Sequence, residues 1–184
     1  MDTGVFCGRR IVVAVTGGIA IYKTCGLVST LVKAQAQVRV VMTRMAGQLV
    51  TPLAFRALSR NPVDQDGEFG EGQGAMEHVD LARWGECLLV SPCTANTLAK
   101  LAHGIADDVV STLALAFSGP ILIAPAMNPT MWEKAVVGRN IEILRKDGVT
   151  IIPPEEGIVA CGDVGVGRLA EEGRILAALA GALP

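Results

Sequence analysis

The chain is poor in charge, in aromatics and in histidine. Its 184 residues carry 16 Lys+Arg against 18 Asp+Glu, a formal net charge of −2, with 4% aromatics and two His. With no clustered basic stripe there is nothing to neutralise a phosphate backbone, so no nucleic-acid partner is expected. No apolar run reaches the ~18 residues that a bilayer-crossing helix needs, so no membrane span is expected either. Cysteine is unpatterned. The five residues Cys7, Cys25, Cys87, Cys93 and Cys161 form no CxxC pair, and no His stands at zinc-ligand spacing. This predicts reduced thiols, a cytoplasmic setting and no metal site. MDTGVFCGRR lacks the long apolar segment of a secretory signal.

What is abundant is small and apolar. Hydrophobic residues make up 51%, there are 21 Gly, and the mean hydropathy is +0.44. Residues 1–184 are read as one domain, large enough to bury roughly 70% of its unfolded-chain surface. The apolar surplus needs cover, in a core or between subunits.

Short β-branched runs alternate with helical periodicity along the chain. RIVVAV (10–15) ends at Thr16-Gly17-Gly18 and is followed by a helical pattern to about Ala34. Further strands are expected at 37–42, 87–90, 121–124 and 150–152, with helices at 46–59 (broken at Thr51-Pro52), 77–84, 94–102, 107–117, 130–146 and 170–180. Two stretches, 61–75 and 153–167, read as long loops because Gly and Pro break any period. Five strands separated by helices predict an α/β fold: a three-layer, doubly wound parallel sheet of Rossmann or flavodoxin-like type.

Ligands of such sheets bind at the carboxyl ends of the strands. The glycine turn at 16–18 leads into a helix N-terminus, which suits an anion. It is not GxGxxG, and no acidic residue ends the second strand to hold a ribose, so a mononucleotide phosphate fits better than a dinucleotide. Thr43 and Thr94-Ala95-Asn96-Thr97 add hydroxyls and an amide at the same edge, and Thr94 equally suits a helix N-cap. Asn128, in PAMNPTMW, precedes a proline that pushes it to extended geometry; it too can cap a helix or turn its amide into the crevice. His103 reads as a helix C-terminal residue, and His78 as either an exposed helix-start residue or a functional imidazole. Cys161, in the glycine-dense ACGDVGVGR, is either a small residue in a connection or a reactive thiol in a lid.

TGGIAIYK (16–23), VVMTRMA (40–46), EHVDLARW (77–84), TANTLAKLAHGIADD (94–108), PAMNPTMW (125–132) and ACGDVGVGR (160–168) together resemble the flavin-containing cysteine decarboxylases. That family includes phosphopantothenoylcysteine decarboxylase of coenzyme A synthesis and the peptidyl-cysteine decarboxylases of lantibiotic-type pathways. The resemblance implies FMN as cofactor, held at Gly17, Gly18, Ile19, Thr43, Thr94, Ala95, Asn96, Thr97 and Ala126. It implies catalytic roles for His78 and Cys161, and substrate binding by Asn128, Met131 and Ala160. It also implies a homotrimer, or a dodecamer built of trimers. Some relatives are regulatory flavoproteins without catalysis; the intact His78, Asn128 and Cys161 favour an enzyme.

Two substrates fit the resemblance, a peptide ending in cysteine and phosphopantothenoylcysteine. Cys161 favours the second, because in that branch a loop cysteine donates a proton while the enethiol is reduced. A chain ending at Pro184 has no room for the synthetase domain that bacterial members of that branch usually carry. The sequence reading therefore puts a stand-alone peptide-tailoring enzyme first and the coenzyme A enzyme as its alternative.

Overall fold

A computed structural model describes residues 3–66 and 77–183. Six parallel strands form the central sheet: β1 (Arg10–Val15), β2 (Gln37–Met42), β3 (Val63–Gln65), β4 (Cys87–Cys93), β5 (Ile121–Pro125) and β6 (Thr150–Ile151), in the order β3-β2-β1-β4-β5-β6. β1 pairs with β2 from Arg10↔Gln37 to Val15↔Met42, and with β4 from Ile11↔Cys87 to Ala14↔Val90. The order of addition reverses between β1 and β4, which leaves a crevice between their carboxyl ends.

β1 is buried on both faces, as a parallel strand covered by helices must be. Ile11, Val13 and Val15 join one core with α1 (Ile21–Lys33), α3 (Pro52–Ser59) and α9 (Glu172–Ala182). Val12 and Ala14 join the other, against α4 (Glu77–Trp84), α5 (Ala95–His103), α6 (Val109–Ala116) and α8 (Ala135–Lys146). Each fully buried Val, Leu or Ile side chain contributes about 1.5–3 kcal/mol, so the sheet is a firm platform for the loops at its edge. On α1, Ile21, Thr24, Leu27, Val28 and Leu31 repeat at three- and four-residue spacing, which lays one stripe on the sheet.

The doubly wound sheet agrees with the sequence reading; three of its details do not. β3 lies within the stretch read as a loop. It is three residues long with a single apolar side chain, too short for a period, and it exists because β2 offers a free edge, helped by the Arg39–Asp64 ion pair at 3.6 Å. Residues 67–75 of that expected loop lie outside the described residues. The second expected loop instead holds an antiparallel hairpin, β7 (Glu155–Ile158) and β8 (Val164–Arg168); its glycines hide the strand pattern. The expected helix 130–146 is two, α7 (Pro129–Trp132) and α8, divided where Lys134 turns extended at ψ 131°. α2 (Arg44–Leu49) completes the set.

Candidate functional site

The turn after β1 and the loop after β4 are stitched together by one side chain. Thr16 Oγ1 donates to the Pro92 carbonyl (2.6 Å) and accepts from the Thr94 N–H (3.1 Å). Below it, Thr24 Oγ1 donates to the Ser91 carbonyl at 3.0 Å, and the Ser91–Pro92 peptide is cis. Gly18 lies so close to this loop that an added Cβ would stand 3.5 Å from Pro92 and Thr94. One on Gly17 would stand 2.5 Å from Met45 Cγ. The two glycines thus form a narrow floor by close packing, Gly17 against Met45 of α2 and Gly18 against the loop after β4. α1, which starts just beyond, has no side-chain cap at its N-terminus; its Ile21 and Lys23 N–H groups turn back on the Gly18 and Ala20 carbonyls, and the positive end of the helix is left without a side-chain anion.

The other helix starts at this edge are capped from within. Thr43 accepts from Ala46 N–H (3.3 Å), and Thr94 from Thr97 N–H (3.2 Å), with the Thr94 and Thr97 hydroxyls 3.2 Å apart. The N-cap reading of Thr94 therefore holds, and its place beside Gly18 holds with it. Ala95 and Asn96 follow on the first turn of α5, Asn96 exposed. The Ala126 N–H donates to the Cys93 carbonyl at 3.0 Å, which brings the loop after β5 alongside. Ile19 is 59% exposed at the rim. All nine residues expected to hold a cofactor converge on one sheet edge.

Asn128 caps a helix, one of its two expected roles, and its amide turns toward the β7–β8 hairpin. Its Oδ1 accepts from Thr130 N–H (2.8 Å), capping α7, while Nδ2 donates to Asp163 Oδ2 (2.5 Å) and to Cys161 Sγ (3.3 Å). The Cys161 thiol donates to Asp163 Oδ2 at 3.3 Å. This meeting depends on glycine. β8 packs against residues 127–129 so tightly that a Cβ on Gly165 would stand 2.9 Å from Pro129 Cβ, and one on Gly167 would collide with the Met127 carbonyl. The Met127 N–H donates to the Gly167 carbonyl at 3.0 Å, which locks the hairpin in place. Met131, 45% exposed, and Ala160, exposed in the hairpin turn, lie in these same two segments. Cys87 and Cys93 are buried, and burial pushes both thiols up, Cys87 to about 12. Neither is a nucleophile, whereas Cys161 is exposed.

His78 stands elsewhere within the chain. It lines a groove of about 510 Å³ with Arg44, Asp66, Asp107, Asp108, Val109 and Thr112, a lining that includes neither Asn128 nor Cys161. Asp66 braces this groove. Its carboxylate accepts from Val109 N–H (2.5 Å) and Arg44 N–H (3.2 Å), joining the starts of α6 and α2. Burial raises its pKa, partly offset by those two donors. Asp108 behaves oppositely: burial pushes it up, but hydrogen bonds from Lys100 (2.6 Å) and Ser111 outweigh burial and hold it below the ordinary carboxylate value. His103 ends α5 before the left-handed Gly104, as its spacing predicts.

Thr16, Asp163 and Asp66 escaped the sequence reading as individual residues. Only the first two left a trace there, inside the glycine turn and the glycine-dense loop. Among the described residues there is no cluster of side chains that could hold a metal ion, and no helix is long and apolar enough to cross a membrane.

A glycine-floored crevice at a sheet switch point, with an uncapped helix N-terminus, is the setting in which a mononucleotide binds. The family model described as Flavoprotein matches residues 7–183. The chain belongs to the flavoprotein family. It is 47% identical over 168 residues to the coenzyme A biosynthesis bifunctional protein CoaBC of Bacillus subtilis, covering 91% of this chain and 41% of that protein. The chain thus spans about two-fifths of that relative's length. Among solved structures, the flavoprotein superposes on the FMN-dependent cysteine decarboxylase SpaF with a TM-score of 0.83 and 36% identity, covering 96% of each chain. A cysteine-to-serine mutant of PPC decarboxylase, complexed with pantothenoylaminoethenethiol, gives 0.82 and 28%, covering 94% of this chain and 96% of that one.

Proposed function

We propose that this flavoprotein is an FMN-dependent cysteine decarboxylase and that its substrate is phosphopantothenoylcysteine. The observation that carries the reading is the convergence of the Asn128 amide and the Cys161 thiol, 3.3 Å apart, at the sheet edge that holds the glycine floor. The likeness to CoaBC supports this substrate better than the peptide that the sequence reading put first. SpaF keeps a cysteine-terminated peptide as the second reading.

The residues present fit FMN. The side-chain-free surface of Gly17 and Gly18, the positive end of α1 with no side-chain cap, and the hydroxyls of Thr43, Thr94 and Thr97 suit a phosphate and ribityl chain. Ile19, Ala95, Asn96 and Ala126 complete the cradle. When bound, FMN supplies a two-electron acceptor for the cysteine Cβ–SH unit and later returns the pair. Oxidation to a thioaldehyde places C=S beta to the carboxylate, so the electron pair released with CO2 flows into sulfur and leaves an enethiolate. Asn128 Nδ2 orients the carboxylate, with Met131 and Ala160 beside it. Cys161 returns a proton to carbon.

His78 assists deprotonation of the substrate thiol. Because its groove excludes Asn128, we place the complete site at a contact between protomers of a homo-oligomer. The exposed apolar residues Ile19, Tyr22 and Met45, beside the cradle, suit burial there.

Mass spectrometry of products from phosphopantothenoylcysteine and from a peptide ending in cysteine tests the reading. Loss of about 44 mass units marks decarboxylation with the electron pair returned, and about 46 the oxidative product. The expected result is 44 from the first substrate. A loss of 46 from the peptide alone assigns the peptide branch. His78→Asn is expected to retain flavin absorbance and release no CO2; undiminished turnover removes His78 from the mechanism.

A further inference from the structure

Asn128 has no spare donor in this structure. Its Oδ1 is committed to Thr130 N–H, and its Nδ2 is engaged by Asp163 Oδ2 at 2.5 Å and Cys161 Sγ at 3.3 Å. A carboxylate already stands on the amide that the proposed function reserves for the substrate's carboxylate. A second carboxylate cannot share that donor, because like charges a few ångströms apart oppose each other and both Nδ2 hydrogens are in use.

We infer that Asp163 is an internal surrogate for the substrate carboxylate, displaced from Asn128 when substrate binds and returning when CO2 leaves. This rests on the decarboxylase reading above. Asp163 and Cys161 belong to a single tight turn: the Val159 N–H donates to the Asp163 carbonyl and the Gly162 N–H to the Val159 carbonyl, both at 2.9 Å, with Gly162 at φ +90°. Whatever moves the carboxylate therefore moves the thiol with it. The turn side chains are exposed, so nothing packed over them opposes the movement. Loss of CO2 vacates Asn128, Asp163 returns to it, and Cys161 arrives at the carbon that has just lost its carboxyl group. The Cys161 S–H bond then breaks and a C–H bond forms at Cα. Sulfur keeps the electron pair as a thiolate facing Asn128 Nδ2, and the enethiolate becomes a thioaldehyde. The two electrons that reduce it are those removed from the same cysteine unit at the outset. Asp163 is thus a positioning residue that couples decarboxylation to protonation.

The test uses FMN-loaded protein and two probes. One is the oxygen analogue of the substrate, with serine replacing cysteine, which keeps the carboxylate but cannot form a thioaldehyde. The other is the decarboxylated counterpart of that analogue. By calorimetry, Asp163→Ala is expected to bind the carboxylate probe about tenfold more tightly than wild type, roughly the effect of freeing one charge-assisted hydrogen bond. Affinity for the decarboxylated probe stays within about twofold. With phosphopantothenoylcysteine, the variant is expected to shift its product from the loss of 44 toward 46. Asp163→Asn, which keeps an acceptor without the charge, is expected to fall between. Equal affinity changes for both probes, or a product unchanged at 44, overturns the inference. Absence of turnover by wild type on both phosphopantothenoylcysteine and the peptide ending in cysteine overturns the decarboxylase reading itself, and this inference with it.

Discussion

Thr16 is the side chain on which the geometry of the crevice most depends, and Thr16→Val isolates its hydroxyl without opening a cavity. The residue is 1% exposed. Its Oγ1 serves the Pro92 carbonyl at 2.6 Å and the Thr94 N–H at 3.1 Å. Valine fills the same volume but answers neither group. Pro92 is buried, so its carbonyl loses its partner with no access to water, a cost of about 1–3 kcal/mol; Thr94 is half-buried, and its N–H adds about 1 kcal/mol. The expected destabilisation is about 2–4 kcal/mol, or a fall in Tm of roughly 4–16 °C for a chain of this size. Thr16→Ser keeps the hydroxyl and loses a methyl, at about 1 kcal/mol. Urea unfolding of the FMN-free protein reads the stability, and flavin fluorescence titration reads the cradle, which the valine variant is expected to weaken because the loop carrying Thr94 to Thr97 is no longer tied to the glycine turn. The reasoning fails if Thr16→Val lies within about 0.5 kcal/mol of wild type, or is no worse than Thr16→Ser in both measurements.

Gly167→Ala is expected to lift β8 from residues 127–129, since the new methyl meets a backbone carbonyl that cannot rotate away; turnover should fall at least tenfold with flavin retained, at about 1–3 kcal/mol of stability, and a variant with wild-type turnover would contradict the packing argument. Asp108→Asn keeps an effective N-cap for α6 but removes the charge facing Lys100. Because the folded pKa of Asp108 is depressed, its stabilisation is present above its unfolded value of about 3.9 and is lost as pH falls through the folded value. The variant should therefore cost about 1 kcal/mol at pH 7 and converge on wild type as pH falls through the depressed folded value; an equal deficit at both ends of the denaturation series would refute it. Asp66, whose pKa is raised, contributes with the opposite sign over the same range.

The alternation of β-branched runs with helical stripes sufficed to specify the doubly wound sheet from sequence, because burial on both faces demands continuous apolar strands and single-stripe helices. Helix caps were equally legible: Thr94, Asn128 and His103 stand where their spacing put them, since capping is satisfied within three or four residues. β3 and the β7–β8 hairpin were not. A three-residue edge strand exists only because a neighbour presents free backbone groups, and glycines that serve close approach carry no periodic signal.

The site divides in the same way. Sequence determined the residue types that assemble it, and the resemblance in PAMNPTMW and ACGDVGVGR named Asn128 and Cys161. Only the tertiary structure decided that Asp163 lies between them, that Thr16 ties two loops 76 residues apart, and that His78 faces a separate groove. Those are relations between distant segments. They arise from how the loops at the sheet edge pack against one another, which no local pattern of residues encodes.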